Sequence, residues 1–167
     1  MIRSVAGSPL RAARGIERSW PLPLARDEIA LVMLSLAEGE PFTPVQIQKA
    51  LFLASDKAAS AFRRDSRYNF EPYDYGPFDW QVYADAESLE RRGLAEINQQ
   101  EATRWRTYSA SQQGLTEGRR LATELPREQR ELLKKIVGLV RSLSFNDLVS
   151  AIYRAYPNMR ERSVFRD

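Results

Sequence analysis

The run YNFEPYDYGPFDWQVY, residues 68–83, sets seven aromatic rings within sixteen positions and interrupts them with Pro72, Gly76 and Pro77. Those breaks exclude a continuous helix. Proline lacks the backbone donor, and glycine supplies conformations that β-carbon residues avoid. The stretch from Arg63 to Pro77 is therefore expected to be irregular or briefly extended. Rings of this size bury large areas, so most should wedge the connection onto neighbouring helices, leaving one or two as a recognition surface. Tyrosine suits recognition because it buries area yet keeps a polar tip. Tyr73, Asp74, Tyr75, Gly76, Phe78 and Trp80 are the candidate protein-contact residues.

Helical periodicity brackets this segment. Ile29, Val32, Met33 and Leu36 recur on one face and predict an amphipathic helix over about 26–38, ended by Gly39. Thr43, Pro44 and Gln46 form a capping box for a second helix reaching about Phe62, with Ile47, Ala50, Leu51, Ala54 and Ala58 as its stripe. Asp79 caps a third helix to Arg92, and Gly93 suits a left-handed cap. Ala95–Asn98 and Arg104–Ala110 read as a β-hairpin. Ser111–Gly114 reads as a turn, after which Thr116 caps a helix over 117–124. Pro126 begins a longer helix to about Leu143, and Ser144 caps a last one to Tyr156. Helix, helix, helix, hairpin, helix is the winged-helix order. The expected fold is α+β, mostly α: a winged-helix-like domain with a β-hairpin wing and two further C-terminal helices.

Charge divides the chain unevenly. Residues 1–26 hold Arg3, Arg11, Arg14, Arg18 and Arg26 against Glu17, and the remainder is nearly balanced at 20 basic and 21 acidic residues. This predicts a flexible basic arm over 1–26, a winged-helix-like domain over 27–125, and a helical extension over 126–167 that packs on the same domain or on a dimer partner. The apolar runs are too short to span a bilayer, and the arm lacks the hydrophobic core of a secretory signal, so a cytoplasmic protein is expected.

The chain has no Cys and no His. That removes thiol and imidazole nucleophiles and the zinc sites built on them. Glu71, Asp74 and Asp79 match no dedicated metal loop, and no glycine-rich phosphate cradle occurs. A non-catalytic protein with no cofactor and no metal is expected.

Two functional readings follow. Tyr68–Glu90 carries Glu71, Asp74, Asp79, Asp85, Glu87 and Glu90 with no Lys or Arg. An acidic third helix is a poor reader of phosphates and suits protein contact. The first reading is therefore a protein-interaction module. The alternative is a winged-helix DNA-binding regulator using Arg104, Trp105, Arg106 and Arg119, with the basic arm.

The segment SLERRGLAEINQQEATRWRTYSASQQGLTEGRRLATEL resembles the helix–wing–helix part of winged-helix proteins. QIQKALFLA (46–54), FEPYDYGPFDWQVYADAESLERRGL (70–94) and AIYRAYPNMRERS (151–163) together are similar to the YwgA-like proteins of bacteria and archaea. More distantly, the Gln-Lys helix and Tyr-Gly-Pro signal resemble the Panacea domain of SocA-like antitoxins. That likeness implies an antitoxin or proteolytic adaptor acting by protein binding. The expected function is an interaction module of antitoxin, adaptor or defence-accessory type, with a toxin or defence component as partner, and the apolar C-terminal helices allow a homodimer. Phe78 departs from the aliphatic residue common after Gly-Pro in Panacea.

Overall fold

The computed structural model describes residues 22–166. It is an α+β arrangement, mostly helical, with six α-helices and two small antiparallel hairpins among the described residues. The expected arm lies outside the described residues up to position 21. Its last residues, from position 22, are described and are tied to the fold through Leu24 and the Leu22 amide. Leu24 is buried and bridges Phe62 in parallel, and the Leu22 amide donates to the Glu124 carbonyl at 3.1 Å. Arg26, counted with the arm from sequence, is the first residue of helix α1 (Arg26–Leu36).

Helix α1 is the centre of the molecule. Every residue from Ile29 to Ser35 is buried, so the single apolar face read from its periodicity understates it. Helix α2 (Pro44–Lys57) begins with the expected box. The Gln46 amide donates to Thr43 Oγ1 at 3.2 Å, and the Thr43 amide to Gln46 Oε1 at 2.9 Å. It stops at Lys57, short of Phe62, because Ala58 leaves helical conformation (φ −125°) and a 3₁₀ turn follows over Ala59–Ala61.

The stretch expected to be irregular or briefly extended contains a hairpin. Strands β1 (Glu71–Tyr73) and β2 (Gly76–Phe78) pair Glu71 with Phe78, Pro72 with Pro77 and Tyr73 with Gly76. Gly76 takes φ +98°, which only glycine adopts without strain. The prolines are tolerated because a two-stranded ribbon has open edges. Asp79 caps α3 (Trp80–Arg91) by accepting from the Gln81 amide at 2.9 Å. Gly93 (φ +76°) turns the chain into the second hairpin, β3 (Ala95–Gln99) and β4 (Arg106–Ala110). Phe42 bridges Tyr108 on its edge.

Helix α4 (Gln112–Ala122) starts earlier than expected. Ser111, not Thr116, is its cap, accepting from the Gly114 amide at 2.9 Å. Gly114 looks like a turn residue in the sequence, but it and Gly118 serve close packing. A Cβ on Gly114 would lie 1.8 Å from the Leu94 carbonyl oxygen, and one on Gly118 would lie 2.5 Å from Ser35 Cβ. The approach at Gly118 covers a flank of α1.

Helices α5 (Arg127–Ser142) and α6 (Phe145–Ala155) match their expected spans within a residue or two. Leu133, Ile136, Val137, Val140, Leu148 and Ile152 enter the same core as α1 and α2, so the C-terminal helices pack on this chain. No helix among the described residues is long and apolar enough to cross a membrane.

Candidate functional site: a clamped hairpin beside an aromatic cleft

The β1–β2 hairpin is held from three directions. Gln48 on α2 forms a reciprocal pair with Asp79: Nε2 donates to the Asp79 carbonyl and Oε1 accepts from its amide, both at 3.0 Å. Lys49 Nζ donates to the Pro77 carbonyl at 3.1 Å. From the C-terminal tail, the Val164 amide and Ser163 Oγ donate to the Asp74 carbonyl at 2.9 and 3.2 Å. Tyr153 on α6 holds that serine, its hydroxyl donating to Ser163 Oγ at 2.5 Å. Gly76 lies flat on these supports, and a Cβ there would stand 3.3 Å from the Tyr153 ring and 3.6 Å from Lys49 Cε. The Gln-Lys, Tyr-Gly-Pro and Tyr-x-x-Tyr-Pro…Ser segments are remote in sequence and meet at this hairpin.

The seven rings divide into two groups. Tyr68 is buried, and Phe70 and Tyr83 pack against the core. Phe78 stacks on Tyr73 at 5.0 Å and meets Trp80 and Tyr83 edge-on at 5.2 and 5.7 Å. Tyr73, Tyr75 and Trp80 stay exposed, Trp80 at 72%. Trp105, from the turn of the second hairpin, is also exposed at 52%. Residues expected to serve protein contact and one expected to serve nucleic-acid contact therefore surround a single cleft. It has a volume of about 350 Å³, and Tyr73, Asp74, Tyr75, Gly76, Phe78 and Trp105 belong to its lining. Trp80 lies on the other side of Phe78, outside it.

The lining also includes Val45, Gln48, Lys49, Tyr83 and Phe145, which were not among the candidates. Lys49 is the chemically distinctive one. It is 2% exposed, and burial pulls its pKa down to about 7. No carboxylate pairs with it among the described residues; its one hydrogen bond goes to a neutral carbonyl. Its sequence signal was a lysine beside a glutamine inside the apolar run QIQKALFLA. Burial also raises Tyr83 to about 12, with Tyr108 contributing.

Four of the six acids of residues 71–90 are engaged by nearby donors. Asp85 is buried and accepts from Arg26 Nε at 3.0 Å, the Tyr68 hydroxyl at 2.8 Å and Gln81 Nε2 at 2.9 Å. Asp79 accepts from the Asn69 and Gln81 amides, and Glu90 accepts from the Ile97 amide. Glu87 meets Arg106 at 3.3 Å. Glu71, Asp74 and Glu90 are exposed, and of these Asp74 alone lines the cleft. Of the basic candidates, Arg104 is exposed in left-handed conformation (φ +60°), and Arg119 is exposed on α4. No group of three metal-ligating side chains occurs among the described residues.

The arrangement is that of an α+β, mostly helical domain presenting a braced aromatic hairpin and a one-sided cleft. Compared with known proteins, the chain matches no family model and no curated sequence.

Proposed function

We propose that this chain is a non-catalytic protein-interaction module on a winged-helix-like fold, working in the cytoplasm as an antitoxin, adaptor or defence-accessory protein. The clamped hairpin and the cleft beside it form its contact surface. The observation that carries this reading is the retention of Tyr73, Tyr75 and Trp80 at the surface on a backbone held from three directions. A rigid loop with exposed aromatic anchors loses little conformational entropy on binding, which favours affinity. In such a surface, Tyr73, Tyr75 and Phe78 shape the cleft wall, Asp74 and Gly76 form its turn, and Trp80 extends the apolar area.

The test is affinity capture from the native host, followed by direct titration of the recovered partner. Tyr75→Ala and Trp80→Ala each remove an exposed ring and should weaken binding about tenfold or more, with the thermal midpoint little changed. A folded double variant that binds its partner as tightly as the parent chain would overturn the assignment.

The DNA-binding alternative draws on Arg104 and Arg119, both exposed, with Trp105 between Arg104 and Arg106. Its weakness is electrostatic. Arg106 is engaged by Glu87, and α3, the helix that would enter the major groove, directs Glu87 and Glu90 toward the wing.

A further inference from the structure

The interaction reading leaves the chemistry at the base of the cleft unused. Lys49 is 2% exposed and spends one of its three donors on the Pro77 carbonyl. No anion compensates it among the described residues. A buried amine without a counter-charge is costly, and an anionic group entering the cleft would supply both the charge and the missing acceptors. The rest of the lining is mostly apolar and aromatic, with Thr43, Gln48 and Asp74 as its other polar side chains. The cleft, at about 350 Å³, is at the small end of ligand pockets.

We infer that the cleft receives the C-terminal residue of a partner chain, its side chain against Tyr73, Phe78, Tyr83 and Trp105 and its α-carboxylate on Lys49 Nζ. This rests on the interaction reading above. The commitment to a chain terminus follows from the contents of the cleft. One cation sits among several rings, and the space is of residue size. An apolar C-terminal residue carries a carboxylate and an apolar body on the same Cα. An internal Asp or Glu brings the carboxylate without that body. Asp74, the single acid in the lining, sits at the exposed hairpin turn, where water and salt screen it from a carboxylate bound at Lys49. There it can accept from the amides of the incoming chain. The clamp fits this role, because the Lys49 bond to Pro77 fixes the amine relative to the rings it works with.

The experiment uses acetylated pentapeptides ending in Phe or Leu, each as the free acid and as the C-terminal amide. A third peptide, amidated, carries an internal Glu. Binding to the full chain is followed by calorimetry and tryptophan fluorescence. The free acids should bind about tenfold or more tighter than their amides. Lys49→Met should abolish that preference while the far-ultraviolet circular dichroism is retained. Equal affinity for acid and amide overturns the inference, as does preference for the internal Glu peptide or an undiminished acid preference in Lys49→Met. Should Lys49→Met not fold, the acid and amide comparison on the parent chain decides. If the peptides show no acid preference but Tyr75→Ala still loses the captured partner, the C-terminal assignment falls and the contact surface stands. If Tyr75→Ala and Trp80→Ala also leave the partner bound, both fall.

Discussion

Lys49 places a titratable charge in the interior, and its consequence for stability has a definite sign. In the unfolded chain a lysine keeps its proton to about pH 10.5, whereas burial brings Lys49 down to about 7. Below about pH 7 both states are protonated, and the folded protein carries the full cost of a buried ammonium. Between about 7 and 10.5 the unfolded state binds more protons, so stability rises with pH. The expected gain is on the order of 2 kcal/mol between about pH 7 and 9. Tyrosines act in the opposite direction at higher pH. Burial raises Tyr83 to about 12 and also lifts Tyr68, Tyr108, Tyr153 and Tyr156, so unfolded tyrosines ionise first and stability falls above about pH 10. Urea midpoints across this range should peak near pH 9–10. Lys49→Met should flatten the rising limb, and an unchanged slope in that variant would show that another group drives it.

At the scale of elements, glycine has opposite meanings on two helices. Gly118 on α4 faces Ser35, where an added Cβ would lie 2.5 Å from Ser35 Cβ and 3.1 Å from the Leu31 carbonyl oxygen. Neither group is the far end of a flexible side chain, so the helices must separate. Gly118→Ala should cost about 2–3 kcal/mol. Gly138 on α5 is exposed and has open space around its missing Cβ. Gly138→Ala should stabilise by about 0.5–1 kcal/mol, through helix propensity alone. Denaturant unfolding of the two variants checks both signs. The start of α4 at Ser111, ahead of the expected cap at Thr116, has its reason in packing too. Gly114 reads as a turn signal because the residue it accommodates, Leu94, is distant along the chain. The β1–β2 hairpin was obscured for a related reason. Its strands are three residues long, too short for alternation to register, and contacts from α2 and the tail brace them.

The whole molecule shares one main core that includes residues from Leu24 through Ile152. The C-terminal helices should therefore not unfold separately. Thermal unfolding followed by circular dichroism and by tryptophan fluorescence should give coincident transitions. Two resolved transitions would mark the C-terminal helices as an independent unit. Capping and periodicity made most of this architecture legible. Thr43, Asp79, Gly93 and Ser144 act as read, because caps and left-handed turns are local chemistry. The candidate site was legible in part. The Tyr-Gly-Pro segment reads from sequence as a candidate contact segment, and Tyr73, Tyr75 and Phe78 line a cleft. The partners of that turn, however, come from α2, the second hairpin and the tail. Of the acids counted over residues 68–90 only Asp85 is buried, held by Arg26 and Tyr68; Asp79, Glu87 and Glu90 are engaged by nearby donors at or near the surface, and Glu71 and Asp74 stay exposed. Charge counting along a sequence cannot distinguish a solvated carboxylate from one that caps, pairs or anchors.

The sequence by itself determined the succession of helices, the turn at Gly76, and the need for most of the aromatic run to pack, because dihedral preference, capping and hydrophobic period act over a few residues. The tertiary structure decided which three rings of that run remain exposed, that Trp105 joins Tyr73 and Phe78 in the lining of one cleft, and that Lys49 lines it too with no counter-charge among the described residues. Those are outcomes of approach between segments far apart in the chain. Burial and electrostatics depend on which surfaces meet in space, and spacing along the chain does not specify that.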